Sequence, residues 1–136
     1  MKKAPTSRIE QSRVIPAPPA DVFATIADPR LHTLFTGGVA TGVCRAGGRF
    51  TAWDGYISGR TIRVTPGRRI VQEWQTTEWP PGAEPSRLEW TFAKHPRGTR
   101  VALKQSGVPR SQVRAYRSGW IEYYWRPLRA FFARKK

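Results

Sequence analysis

The chain changes its hydrophobic period once, shortly after its hundredth residue. Through the middle of the sequence apolar and polar residues alternate, most cleanly where Leu88, Trp90 and Phe92 are separated by Glu89 and Thr91. This period of two is typical of strands in an antiparallel sheet with one packed face. From residue 111 to residue 132 large side chains recur every three or four positions, which indicates one helical face. The pattern therefore predicts an antiparallel sheet followed by a long C-terminal helix.

The N-terminal part predicts one strand and two short helices. Residues 9–15 form a strand pattern that ends at a proline-rich stretch, and proline is well tolerated at the start of a helix. Residues 20–27 then place apolar side chains on one helical face. The pair Asp28-Pro29 interrupts this helix, and residues 30–35 predict a second helical turn.

Five further strand patterns lie between the second helical turn and the C-terminal helix, each bounded by turn residues. Gly55, Pro66-Gly67 and the turn from His95 to Gly98 separate neighbouring strands. The predicted strands are residues 49–54, 56–64, 69–77, 86–94 and 99–106. With the N-terminal strand, about six strands are predicted.

Two residues interrupt the predicted C-terminal helix. Pro127 cannot donate a hydrogen bond to the carbonyl of Tyr123, so a kink or a short final segment is expected there. Gly119 lies in mid-helix, where glycine costs about 1 kcal/mol against alanine. We expect it to mark a close approach of the helix to the sheet or loop beneath it.

Three short segments carry a family resemblance. They are Trp53-Asp54-Gly55-Tyr56-Ile57-Ser58-Gly59, Gln105-Ser106-Gly107-Val108-Pro109, and Gly119-Trp120 within the aromatic helix. In this order, over roughly residues 8–133, they resemble the activator of 90-kDa heat-shock-protein ATPase homologue family of the START-like (SRPBCC) helix-grip superfamily. The resemblance implies an α+β helix-grip fold. Its parts are a curved antiparallel sheet of about six strands, two short helices after the first strand, and a long C-terminal helix packed across the sheet.

The resemblance also implies classes of function. The family is named for the C-terminal domain of a co-chaperone that stimulates the ATPase of the 90-kDa chaperone. More distant superfamily members bind lipids, hormones or polyketides, and a few cyclise aromatic polyketides. We expect a non-catalytic protein that binds a small hydrophobic or aromatic ligand. A co-chaperone-like or other protein-interaction module is the alternative, placed second because the co-chaperone's separate N-terminal domain has no counterpart in this sequence. A polyketide cyclase-like enzyme comes third.

The ligand-binding expectation depends on large aromatic side chains. A long helix lying on a curved sheet leaves a gap that commonly forms an elongated apolar cavity, and Tyr and Trp add polar groups that orient a ligand. The predicted cavity-lining residues are Phe35, Phe50, Trp53, Trp74, Trp90, Tyr116, Trp120, Tyr123 and Tyr124.

Composition limits the other possibilities. The 136 residues fit one domain, residues 1–136, with a core at about 8–133, and no apolar run approaches the ~20 residues that span a bilayer. Cys44 is the only cysteine, and nothing resembles a signal peptide, so a cytoplasmic protein is expected. The net charge of +15 comes from arginines scattered along the sequence. It predicts non-specific, salt-sensitive affinity for polyanions, or an acidic protein partner, rather than sequence-specific nucleic-acid recognition.

Patterns for metal, cofactor or nucleophile chemistry are not found in the sequence. His32 and His95 are isolated, and no H-x-x-x-H, C-x-x-C, G-x-S-x-G or phosphate-loop pattern occurs. We expect no cofactor and no catalytic residue. Asp54, before the Gly55 turn, is expected to bond its own backbone, and Glu73 to lie on the outer sheet face near Arg60 or Arg63.

Overall fold

The computed structural model describes residues 5–133; residues 1–4 and 134–136 lie outside the described part. The described residues form seven strands and four α-helices, joined by short loops. This α+β arrangement follows the predicted order. The strands are β1 (Thr6–Ile15), β2 (Thr41–Gly42), β3 (Arg49–Ala52), β4 (Ile57–Thr65), β5 (Arg69–Thr76), β6 (Ser86–His95) and β7 (Gly98–Pro109). The helices are α1 (Pro19–Ala27), α2 (Pro29–Thr36), α3 (Val113–Trp120) and α4 (Arg126–Ala133).

All seven strands form one antiparallel sheet in the order β1-β7-β6-β5-β4-β3-β2. Each strand from β2 to β7 pairs with its neighbour in sequence, while β1 joins the far edge by pairing with β7, for example Ile15 opposite Thr99. Register shifts between Ser7 and Ile9 in β1, and between Thr61 and Arg63 in β4, mark bulges that bend the strands.

The strand count is seven rather than the predicted six, because β2 was not expected. It contains only Thr41 and Gly42, which pair with Thr51 and Phe50 of β3. Two residues cannot display a period of two, so the hydrophobic pattern carries no sign of this strand.

The two short helices confirm the prediction. Residues at their ends explain where they begin and stop. Pro19 begins α1, and the carboxylate of Asp28 caps α2 by accepting a hydrogen bond from the Arg30 amide at 2.9 Å. Gly37 ends α2 in the left-handed conformation, with φ of 85°.

The C-terminal helix, by which we mean α3, the following turn and α4, remains helical from Val113 to Ala133. The expected kink at Pro127 is replaced by a π-helical turn at Ile121–Trp125, in which the Arg126 amide donates to the Ile121 carbonyl five residues earlier. Since Pro127 has no amide hydrogen for the Tyr123 carbonyl, a wider turn just before it lets the helix continue.

The inner face of the sheet packs against the helices and forms the core. Large side chains from β1, β6, β7 and the C-terminal helix are almost fully buried there. They include Ile9, Ile15, Leu88, Trp90, Leu103, Trp125 and Leu128.

The outer face of the sheet has no covering layer among the described elements and is strongly basic. Glu73 of β5 lies on this face near Arg60 of β4, as expected, and the two form a cross-strand ion pair at 3.4 Å. Arg69 pairs with Glu89 of β6. Arg87 and Arg100 also occupy outward strand positions on this face. Four arginines that are distant in sequence therefore lie on this face, while Arg114, Arg117, Arg126 and Arg129 are exposed on the C-terminal helix at the other side of the sheet.

Candidate functional site

An open cleft of about 370 Å³ lies between the C-terminal helix and one end of the sheet. The turn joining β3 to β4 forms one wall, β5 forms the floor, and the helix forms the other wall. Seven of its nine lining residues are aromatic. The lining consists of Trp53, Tyr56, Ile57, Trp74, Tyr116, Gly119, Trp120, Tyr123 and Tyr124.

The β3–β4 turn holds Trp53 at the mouth of the cleft in an unusual conformation. Trp53 and Asp54 both adopt the left-handed region, with φ of 51° and 59°, which non-glycine residues rarely do. Asp54 secures the turn: its amide donates to the Val39 carbonyl, and its carboxylate accepts from the Val39 amide, both at 3.0 Å. The expectation that Asp54 bonds its own backbone was therefore wrong. The Trp53 ring meets Tyr123 edge to face, with centroids 5.5 Å apart.

The π-helical turn sets which aromatic rings of the helix face the cleft. Tyr123 stands outward and is 55% exposed, while Tyr124 and Trp125 turn into the core. In a regular helix the side-chain direction rotates by about 100° per residue. The extra residue in the π-helical turn shifts the directions of the side chains that follow it. Both Tyr123 and Tyr124 can consequently line the cleft, at its mouth and at its base.

Gly119 lines the cleft without filling it. A Cβ atom added here would find its nearest neighbour, Cδ2 of Tyr123, at 3.9 Å, an ordinary contact distance. The expected close approach of the helix to the sheet at this glycine is therefore wrong. Because Gly119 has no side chain, the helix backbone itself lines the cleft at this position.

Trp120 is fixed at the base of the cleft by a buried hydrogen-bond chain. Its Nε1 donates to the side-chain carbonyl of Gln105 at 2.8 Å, and the Gln105 amide donates to the Ser86 hydroxyl at 3.0 Å. Ser86 in turn donates to the Trp74 carbonyl at 2.6 Å. The side-chain polar groups of Trp120, Gln105 and Ser86 thus have partners within this chain of hydrogen bonds, which holds the Trp120 ring in one orientation.

Tyr124 is tied to α2 through His32. Nδ1 of His32 lies 2.9 Å from the Ile26 carbonyl, which can only accept, so Nδ1 carries the proton of the neutral ring. Nε2 is then the acceptor for the Tyr124 hydroxyl at 2.9 Å. Burial lowers the pKa of His32 and raises the pKa of Tyr124, so both groups are neutral near pH 7.

This arrangement predicts that acid weakens the fold from about pH 6.5 downward. The unfolded chain binds a proton at the ordinary histidine pKa of about 6.5, whereas folded His32 binds it only at lower pH. The free energy of unfolding should therefore fall by up to about 1.4 kcal/mol per pH unit below pH 6.5. Urea unfolding between pH 7.5 and 5 measures this slope. His32→Gln should remove most of it, and equal slopes in both proteins would contradict the assignment.

The tyrosine hydroxyl groups at the other end of the cleft also form hydrogen bonds within the protein. Tyr116 bonds Thr76 at 2.6 Å and donates to the Gln112 side chain at 2.7 Å, and Tyr56 donates to the Glu78 carboxylate at 2.7 Å. Burial raises the pKa of Tyr116; burial and then the hydrogen bond to Glu78 raise that of Tyr56. These phenols stay protonated at neutral pH and are poor bases.

A second, much smaller cavity of about 40 Å³ lies deeper, beneath α1, α2 and β2. Ile57, Trp74, Trp120 and Tyr124 line both spaces and so separate them. Its volume is enough for very few water molecules.

The predicted lining residues divide among these spaces. Phe50 and Trp90 line the small cavity but not the cleft. Phe35 lines neither, because its buried ring packs behind Tyr124, with centroids 5.8 Å apart. Tyr56 and Ile57 line the cleft but were not predicted to, although both belong to the Trp53–Gly59 segment that carried the family resemblance. The six predicted residues in the cleft are Trp53, Trp74, Tyr116, Trp120, Tyr123 and Tyr124.

Other chemistry finds little support in the described part of the chain. Within residues 5–133 no group of three His, Cys, Asp or Glu side chains could hold a metal ion. Burial raises the pKa of the Cys44 thiol, so this cysteine is not an activated nucleophile. None of the helices described is long and apolar enough to cross a membrane.

An open antiparallel sheet that carries one long C-terminal helix, with a cleft between them, defines a helix-grip protein of the START-like class. Residues 16–133 match the sequence model of the family described as "Activator of Hsp90 ATPase homolog 1-like protein". The chain belongs to this family, as the three segments had indicated.

Individual relatives agree with this assignment. The human activator of 90 kDa heat shock protein ATPase homolog 1 is 27% identical over 130 residues, which are 96% of this chain and 38% of that protein. The chain thus spans well under half the length of this relative. The crystal structure of an HSP90 activator from Plasmodium falciparum has a TM-score of 0.82 at 19% identity, covering 94% of this chain and 96% of that one. A protein from Mesorhizobium loti has a TM-score of 0.81 at 23% identity, covering 96% and 99%.

Proposed function

We propose that this chain is a non-catalytic protein that binds a small, largely apolar or aromatic ligand in the cleft beside the C-terminal helix. The observation that carries the proposal is the cleft of about 370 Å³ with seven aromatic lining residues. Its volume lies within the range of small-molecule sites, and aromatic walls are typical of them.

The open glycine position supports the proposal. An alanine at residue 119 would be about 1 kcal/mol better for the helix and would meet no neighbour closer than 3.9 Å. Packing therefore gives no reason for glycine there, whereas room for a ligand does.

The chemistry of the lining favours binding over catalysis. The lining contains no carboxylate, imidazole, thiol or amine. Its proton-bearing groups include the phenols of Tyr56, Tyr116 and Tyr124, whose pKa values are all raised. A cyclase-like enzyme would need a base for proton abstraction, and phenols that stay protonated at neutral pH serve poorly in that role.

The proposal is tested with a neutral fluorescent probe, N-phenyl-1-naphthylamine. We expect saturable uptake at one site, with quenching of tryptophan emission because Trp53, Trp74 and Trp120 line the cleft. Tyr123→Ala, which changes an exposed side chain at the mouth, should weaken uptake without unfolding the protein. Leu34→Ala, at an exposed apolar position absent from the lining, is the matched control. Absence of saturable uptake by the folded wild-type protein would contradict the proposal.

A second candidate is a chaperone-related interaction module, favoured by the similarity to the human activator over 96% of this chain. The basic outer face of the sheet suits an acidic protein partner or, less specifically, other polyanions. Binding through it should be salt-dependent, since exposed charges are screened at physiological ionic strength.

For this candidate we expect binding without substantial activation. The 130 matched residues are 38% of the human relative, so an assay with these 136 residues omits any contacts that the rest of that protein makes. Linked modules also gain effective concentration that one module assayed alone lacks. The measurement is steady-state ATP hydrolysis by the 90-kDa chaperone of the source organism with excess protein added. A several-fold increase that Trp53→Ala abolishes would place the co-chaperone function first.

A further inference from the structure

Four of the cleft's seven aromatic rings have their polar atom bonded to the protein, whereas the buried Nε1 of Trp53 has no hydrogen-bond partner among the described residues. The hydroxyls of Tyr56, Tyr116 and Tyr124 bond Glu78, Gln112 and His32, and the indole nitrogen of Trp120 bonds Gln105. This list accounts for four of the seven aromatic lining residues. The sequence suggested that such groups would orient a partly polar ligand, but here they orient the rings. A ligand therefore meets mainly the ring surfaces.

Neighbouring rings in the cleft are set at steep angles. Trp53 and Tyr123 are inclined at 72°, Trp74 and Tyr116 at 86°, and Trp120 and Tyr124 at 59°. The pair Trp74 and Trp120, at 39°, is the exception among these neighbours. Rings inclined in this way present π-surfaces from several directions. A rounded group can contact several of these ring faces at once, whereas a flat ring system contacts fewer of them.

The Glu78 carboxylate contacts a lining side chain of the cleft, although the chain as a whole carries +15 and Arg117 directly follows the lining residue Tyr116. No arginine or lysine belongs to the lining. Glu78 contacts the Tyr56 hydroxyl, Asp54 directly follows Trp53, and Glu122 directly precedes Tyr123, although Glu122 is paired with Arg126.

We infer that the cleft prefers a ligand bearing a quaternary or highly methylated ammonium group. Ring faces carry a negative electrostatic potential that attracts such cations, and methylation removes the N–H groups that would need hydrogen-bond acceptors. Glu78 supplies a carboxylate at the edge of the cleft. The inference rests on the proposed function, because it names the ligand class of the same cleft.

The test compares two probes of nearly identical shape, phenyltrimethylammonium and its uncharged carbon analogue tert-butylbenzene. Binding of each is followed by tryptophan fluorescence at about 0.15 M salt. We expect the cation to bind at least tenfold more tightly. If the neutral probe binds as tightly or more tightly, the cation preference is wrong while the apolar site stands. If neither probe nor N-phenyl-1-naphthylamine binds, both the inference and the proposed function fail.

A variant at Glu78 separates charge from shape. Glu78 is exposed and outside the cleft lining, so Glu78→Gln should fold normally and still accept the Tyr56 hydrogen bond. Affinity for phenyltrimethylammonium should fall about threefold to tenfold, with affinity for tert-butylbenzene unchanged. Glu84→Gln is the matched control in the neighbouring loop and should leave both affinities as they were. Equal losses for the two probes in Glu78→Gln would overturn the role of its charge.

Discussion

Replacing Gly119 with leucine is expected to abolish ligand uptake by the cleft while leaving the fold at least as stable. A leucine side chain would enter a space of about 370 Å³ from the helix wall, starting from a Cβ position whose nearest neighbour is 3.9 Å away. The helix should gain up to about 1 kcal/mol, because leucine is a much better helix former than glycine. Binding of N-phenyl-1-naphthylamine should weaken by at least tenfold.

The measurement combines probe titration with urea unfolding of the same protein. Ser118→Leu is the control, because it places the same side chain at the exposed neighbouring position and should leave uptake unchanged. Wild-type affinity in Gly119→Leu would show that the probe binds elsewhere. A loss of more than about 2 kcal/mol in stability would show that the glycine is required for packing.

Replacing Trp120 with alanine is expected to be the most damaging single change in the cleft. Trp120 is 3% exposed, its ring contacts Trp74, Trp90 and Tyr124, and its indole nitrogen bonds Gln105. Removing a buried tryptophan costs about 3–5 kcal/mol, and leaving the buried Gln105 carbonyl without a donor adds about 1–3 kcal/mol. Since domains have only about 5–15 kcal/mol in total, much of this variant should be unfolded.

Urea unfolding at pH 7.5 measures the loss, and Trp120→Phe is the matched variant. It keeps most of the ring packing and removes the same hydrogen bond, so it should lose clearly less stability than Trp120→Ala. A loss below about 1 kcal/mol in Trp120→Ala would mean that this ring is not part of the core. Reduced ligand uptake by Trp120→Ala is therefore not informative by itself, which is why Gly119→Leu is the better test of the site.

The strands were predicted to within a few residues wherever one face of the sheet is packed, because burial imposes the alternation seen in Leu88, Trp90 and Phe92. The same reasoning fails for β2, which is too short to alternate. Pro127 was correctly recognised as an interruption of the helix. How the helix accommodates it, through a wide turn and not a break, depends on the packing of Tyr124 and Trp125 in the core.

The cleft was predictable in its composition but not in its geometry. The spacing of Tyr116, Trp120 and Tyr123 places them on one helical face, and strand alternation points Trp74 inward. Gly119 shows the limit of such reasoning. A glycine in a helix is equally consistent with close packing and with empty space, and only the surrounding atoms distinguish the two.

The position of β1 in the sheet has a consequence for synthesis on the ribosome. Thr6–Ile15 is made first, yet it pairs only with Gly98–Pro109, the last strand to be made. The strands from β2 to β7 can pair in order as they emerge, but β1 must wait until β7 has been made. Pairing between segments so distant in sequence is slow, and unpaired strands are prone to aggregation. β1 therefore stays unpaired until β7 has left the exit tunnel.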